Sequence, residues 1–192
     1  MALRTWSVLP QLLPRLLPLL AVTVFTATAC SDDGAEEGRT AAKPTYELPP
    51  RPVRDGEKAV KTPTARSGET AFTVIGYTGG MPELVGSHAD VAPKGRYVRV
   101  RLVVENTGRT GQTFVPKEQV LVLASGRTIA LDREAMLVKR MPEQFPVGAG
   151  MRVELDIWYD VPRSERPTAI RFQGEPGVGA VSEPSPVDVK LP

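Results

Sequence analysis

The sequence predicts an all-β protein, specifically an immunoglobulin-like sandwich of about seven or eight short antiparallel strands. Three observations carry that expectation. Residues 96–105 and 151–159 alternate apolar and polar side chains with period two. Further short apolar runs recur at spacings of about ten residues. The chain's 19 prolines and 17 glycines fall mostly between these runs, where turns belong. Apolar spacings of three and four, which a helix needs, are not sustained in the part that carries these runs.

The elements follow in order. Phe72-Thr73-Val74-Ile75-Gly76-Tyr77 has strand character and ends in the turn residues Thr78-Gly79-Gly80-Met81-Pro82. A loop then runs to Gly95. In the next strand Val98, Val100, Leu102 and Val104 share one face, with Arg99, Arg101, Val103 and Glu105 on the other, and Asn106-Thr107-Gly108 closes it. Residues 112–115 make a strand stopped by Pro116. Residues 120–124 and 127–131 flank Ser125-Gly126, by spacing a two-residue hairpin. Residues 132–140 fit either a turn of helix capped by Asp132 or a short strand. Pro142, Pro146, Gly148 and Gly150 then break the chain. In 151–159 Met151, Val153, Leu155, Ile157 and Tyr159 face one way, and Arg152, Glu154, Asp156 and Trp158 the other. Residues 169–172 add a strand, and Val187, Val189 and Leu191 suggest a weak last one.

Composition bounds the rest. A chain of 192 residues with 41% hydrophobic and 24% charged content holds one ordinary domain plus extra segments. One cysteine cannot form an internal disulfide, so the domain relies on its apolar core. Roughly a hundred residues suffice for that.

The first 29 residues have a positive start at Arg4, an apolar region from about residue 12 to 25, and then small residues. The longest uncharged run, 16–31, is just short of a spanning helix. Pro10, Pro14 and Pro18 make it a poor permanent one, although an uncleaved signal anchor is the alternative. Ala27-Thr28-Ala29-Cys30 resembles the lipobox of bacterial lipoproteins, with Ala27 standing where that family usually has Leu or another larger aliphatic residue. The resemblance implies cleavage between Ala29 and Cys30, diacylglycerol on the Cys30 sulfur, and often acylation of the freed amine. Ordinary signal cleavage after Ala29 or nearby is the competing reading. Two or more acyl chains, at about 0.8 kcal/mol per buried methylene, anchor durably where one binds reversibly. From Cys30 onward the chain carries 22 basic and 22 acidic residues, so neither nucleic acid nor an anionic lipid surface is an obvious electrostatic partner.

Between Ser31 and about Arg66, Pro44, Pro49, Pro50, Pro52 and Pro63 are scattered among charges, with few large apolar residues. Such a composition buries too little surface to offset its ordering entropy. The expectation is a disordered linker that holds the folded part off the membrane. The expected organisation is therefore a signal peptide over 1–29, a lipid-anchored linker over 30–66 and a β-sandwich domain over 67–192.

The order of segments also carries a family resemblance. Pro93-Lys94-Gly95-Arg96-Tyr97-Val98 leads into a strand ending Val104-Glu105-Asn106-Thr107-Gly108. Leu121-Val122-Leu123 precedes Ser125-Gly126-Arg127, and Pro146-Val147-Gly148 precedes a long strand closing Trp158-Tyr159-Asp160-Val161-Pro162. Over about residues 70–173 this resembles the DUF4352 family of bacterial secreted and lipid-anchored domains, related in fold to the MPT63 antigen of mycobacteria. The resemblance implies an immunoglobulin-like sandwich and an extracytoplasmic, actinobacterial setting. It carries over no catalytic or binding residue.

Little in the sequence points to chemistry. A copper or other soft-metal site needs clustered His, Cys or Met. His88 is the only histidine, with Met81, Met136, Met141 and Met151 the methionines available to join it; scattered methionines in a β protein are usually packing. No nucleophile motif occurs, and His88 has no marked partner. Glu154, Asp156 and Asp160 share an outward strand face on which Arg99 and Arg101 are natural cross-strand partners, the ordinary behaviour of a sandwich surface. Trp158 lies on that charged face. Either it lies in a second, smaller core or under a cover from the 132–146 segment, or it is an exposed contact for a partner. The expected function is a non-enzymatic, membrane-tethered module, without cofactor or metal, that contacts an envelope protein or wall polymer. The alternative is a small-ligand or soft-metal carrier or sensor using His88 and the methionines.

Overall fold

The structure, a computed structural model, describes residues 51–87 and 89–192. The segment expected to be a signal peptide, Ala29, Cys30, the expected linker up to residue 50 and His88 lie outside the described residues. The described residues form eleven strands: β1 (Lys58–Ala59), β2 (Ala65–Ser67), β3 (Thr70–Met81), β4 (Arg96–Asn106), β5 (Gln112–Phe114), β6 (Val120–Leu123), β7 (Thr128–Ile129), β8 (Phe145–Val147), β9 (Arg152–Val161), β10 (Pro167–Phe172) and β11 (Val187–Lys190). A 3₁₀ turn at Pro116–Glu118 and one short helix, α1 (Arg133–Val138), complete the set.

The expected all-β sandwich is what forms, with antiparallel pairing throughout. One sheet runs β1-β3-β4-β9, with β2 also paired to β3; the other runs β11-β10-β6-β7; β5 and β8 make a separate ribbon. The alternation of the two long strands dictates this. Val98, Val100, Leu102 and Val104 on β4, and Leu155, Ile157 and Tyr159 on β9, are all buried. Opposite them stand Leu121, Leu123, Ile170 and Phe172 of the second sheet, buried in the same core. Phe72 and Phe172 stack with centroids 4.5 Å apart and clamp the two sheets.

Asn106 ends β4 as the sequence suggested. Its Nδ2 donates to Thr110 O at 2.7 Å and Val147 O at 2.8 Å, and its Oδ1 accepts from Gly108 N at 2.9 Å. Tyr159, buried in the core, donates its hydroxyl to Gln119 O at 3.0 Å. Burial pushes its phenol well above the ordinary tyrosine range.

Three expectations change. Residues from 51 on are not a free linker, because β1 and β2 both pair with β3. Pairing and burial of Glu57 supply the stabilisation that apolar content did not. The β6–β7 hairpin has a three-residue loop, not two: Leu123 N donates to Arg127 O at 2.9 Å, and Gly126 takes φ 83°. That is a turn closed by a left-handed glycine, which a β-carbon would strain. Finally, the broken stretch around Pro146 still forms β8, because among the described residues it pairs with β5 alone and proline is tolerated on an edge.

Candidate functional site

Two features stand out on the surface, and both are built on the outward face of β4 and β9. The first is a charge network. Register places Arg101 opposite Asp156 and Arg99 opposite Trp158; the cross-strand pairing expected of these arginines occurs for Arg101, with Glu154, whereas Arg99 faces the indole and its carboxylate partner is Glu57. Arg101 is only 4% exposed. Its Nε donates to Glu154 Oε1 at 2.7 Å and its Nη1 to Glu57 Oε2 at 2.9 Å. Burial by itself pulls the guanidinium pKa down, but hydrogen bonds and charge from Glu154 and Glu57 outweigh it and leave it raised.

Glu57 arrives from the segment expected to be linker. A bulge in β3 makes room for it: the register shifts between Val74 and Gly76, so Gly76 faces Arg101 and Thr78 faces Arg99. Gly76 leaves the space that the Glu57 carboxylate occupies, and a β-carbon there would force that carboxylate to shift. Arg99 Nη2 donates to Thr78 Oγ1 at 3.0 Å. Arg54 Nη1 reaches Asp156 Oδ2 at 2.6 Å, and Arg51 pairs with Glu154. Residues 51–57 thus cross the sheet as a strap held by ion pairs. Asp160 is used differently, accepting from the backbone N–H groups of Lys94 and Gly95.

The second feature surrounds Trp158. It is not an exposed contact: it is 5% exposed. Asp132 N donates to Trp158 O at 2.8 Å and starts α1 beside β9. Asp132 then caps the helix, its Oδ1 accepting from Ala135 N at 2.7 Å. Tyr97 packs edge-on to the indole at 6.4 Å, and the Arg99 and Lys139 cations lie 5.7 and 5.6 Å from its ring centroid. This is the cover from the 132–146 segment that the sequence offered against an exposed contact; the covering residues Ala135 and Met136 join Trp158 in the main core rather than in a separate one. Burial, Asp132, Glu134 and Asp160 together hold the Tyr97 phenol above its usual range.

The helix that hides Trp158 creates a cleft beside itself. It has a volume of about 600 Å³, with Pro116, Leu131, Met136, Leu137, Met141 and Pro142 on its walls. Leu137 is 78% exposed, and Lys117, Arg133, Glu134 and Glu143 supply the polar part of the lining. An apolar surface with a mixed-charge border suits a ligand or partner held by contact area. Of the four methionines considered as soft-metal ligands, Met136 and Met141 meet in this cleft, while Met81 packs on the core and Met151 is exposed. Among the described residues no three His, Cys, Asp or Glu side chains form a group able to hold a metal ion. No described helix is long and apolar enough to cross a membrane.

The sequence did not announce the cleft. Of the apolar residues on its walls only Met136 and Leu137 belong to α1, and Pro116, Leu131, Met141 and Pro142 come from segments around it.

No family model and no curated protein matches the chain. Among solved structures it is similar to the yjhA protein from Bacillus subtilis, with a TM-score of 0.51 and 14% identity, covering 70% of this chain and 100% of that one. A conserved hypothetical protein from Bacillus anthracis aligns with TM-score 0.46 and 12% identity over 60% and 87% of the two chains. A functionally unknown protein from Listeria monocytogenes aligns with TM-score 0.47 and 9% identity over 71% and 84%. The likeness to the Bacillus subtilis protein is one of fold: the chain shares its β architecture.

Proposed function

We propose that this protein is a lipid-anchored, extracytoplasmic, immunoglobulin-like module of the DUF4352 type that works by binding another envelope macromolecule rather than by catalysis. The cleft beside α1 carries the binding half of this reading. An exposed leucine at an apolar depression of that volume costs solubility, and a partner that covers it removes that cost. The anchoring half rests on Ala27-Thr28-Ala29-Cys30 after an uncharged run. Residues 31–50 give the domain a reach of up to about 70 Å from its anchor if extended.

Each half has its own test. Cys30→Ser is expected to abolish acyl modification and either release the protein into the medium or block its maturation. The wild type is expected to partition into detergent with a fatty-acyl mass on its first residue. An unmodified amino end beyond residue 30 in native material sinks the anchor. For the cleft, a photo-crosslinking residue at Leu137 in intact cells is expected to capture a discrete adduct that the same residue at Val53, also exposed, does not. Identical patterns from both positions remove the cleft from the account.

A further inference from the structure

The domain from residue 51 onward carries 20 basic and 17 acidic residues, a small excess that the fold does not spread evenly. Three loops meet at the end of the sandwich where β4 begins and β9 ends: residues 92–96, 124–127 and 162–166. They meet on Glu165. Arg96 Nη2 donates to Glu165 O at 2.7 Å, Ser125 Oγ to Glu165 Oε1 at 3.1 Å, and Arg127 Nη2 stands 3.6 Å from the same oxygen. Ala124 N donates to Arg166 O at 2.8 Å, tying the second loop to the third. The first loop is fixed because Lys94 N and Gly95 N donate to Asp160 at 2.8 and 2.9 Å.

The result is lopsided. Lys94, Arg96, Arg127, Arg163 and Arg166 gather at one end, and the two carboxylates among them, Asp160 and Glu165, are engaged in holding the loops together. Among the described residues Lys94, Arg96, Arg163 and Arg166 take part in no ion pair. Lys94, Arg127, Arg163 and Arg166 are exposed. Tyr77 reports the same field: burial raises its phenol, and Arg96 and Arg166 pull it back. The neighbouring loop, with Glu83 and Asp90, turns toward α1, where Lys139 Nζ donates to Val85 O at 2.7 Å. None of the large exposed apolar residues lies in the three basic loops, so this end has cations without a wedge to enter a bilayer.

We infer that these three loops form a binding surface for a polyanionic chain, specifically a phosphodiester polymer of the cell envelope. Several cations carried on loops that are held together suit repeated phosphates, since guanidinium groups take phosphate oxygens in pairs. A purely electrostatic surface gains by releasing the polymer's counterions. The envelope setting rests on the function proposed above, while the binding chemistry does not.

The test uses the full-length chain purified in detergent, passed over poly(glycerol phosphate) immobilised on resin, with glycerol-coated resin as the neutral control. Wild type is expected to be retained and to weaken about a hundredfold between about 50 and 200 mM salt, the dependence expected of five phosphate contacts on a flexible chain. The reversal K94E/R163E/R166E is expected to bind at least about tenfold more weakly. The variant K61E/R66E/R109E changes net charge equally at exposed positions toward the other end of the sheet, where β2 pairs with β3 and β4 ends, and is expected to bind like wild type. Thermal melts of both variants establish that they are folded. Absence of wild-type retention, equal loss in both variants, or a loss by K94E/R163E/R166E on vesicles of phosphatidylglycerol and phosphatidylcholine as large as its loss on the polymer each overturns the proposal. Because purified protein is used, failure here leaves the Cys30 and Leu137 tests untouched, and the reverse holds.

Discussion

Glu57→Ala should cut the strap loose from the sheet. The Glu57 carboxylate accepts from Arg101 Nη1 at 2.9 Å and from Arg54 N at 3.1 Å, with a longer approach from Arg99 at 3.5 Å. Its side chain is 1% exposed and that of Arg101 5%, so the charge pair is little screened by salt. Removing one partner of a buried pair costs about 3–5 kcal/mol when the other is left alone. Arg101 is not left alone, because Glu154 and Pro52 O still accept from it. What is lost is one buried charge-assisted bond, about 1.5–3 kcal/mol, and the weaker bond to Arg54 N. The expected loss is therefore about 3 kcal/mol. With a urea dependence of about 2 kcal/mol/M, the unfolding midpoint falls by about 1.5 M. Asp55→Ala, on the same strap but exposed, should stay within about 0.5 kcal/mol. Trypsin cutting after Arg54 should accelerate in the first variant only. Gly76→Ala should reproduce the Glu57 phenotype, since its new β-carbon occupies the carboxylate's place. If Glu57→Ala and Asp55→Ala melt together, the strap contributes nothing and the reasoning is wrong.

Two further predictions concern pH. The folded-state pKa of Tyr159 is raised by burial, so its contribution is complete below the unfolded value of about 10 and is lost as pH climbs above it; Tyr159→Phe should flatten that alkaline decline in a melting series. Glu175 is also raised, by burial and then by Glu118 and Glu183, so the stability linked to it is present below the unfolded carboxyl range and lost as pH rises through the folded pKa. Glu175→Gln should melt higher than wild type at neutral pH and alike at about pH 4, and a lower neutral melt would contradict the assigned repulsion.

Which parts were readable in the chain follows from how local each cause is. The alternation in β4 and β9 announced both strands and their buried face, because a strand's side-chain period is a property of its own backbone. The Asn106 turn was equally local, since a short amide side chain bonds its own neighbours. The cap at Asp132 was visible as one of two options, and only packing over Trp158 chose the helix.

The strap was not legible. Residues 51–66 have too few apolar side chains to look folded, and their order comes from Glu57 meeting an arginine 44 positions later. That meeting depends on a bulge in β3, whose register no local pattern fixes. The same distinction governs function. Sequence alone determined an alternating β core, a lone cysteine after small residues and the lack of a recognisable catalytic motif. Tertiary structure decided that Trp158 is covered, that its cover leaves an apolar cleft, and that five scattered cations end up together. Burial and charge density are sums over distant segments, and no local stretch of chain contains those sums.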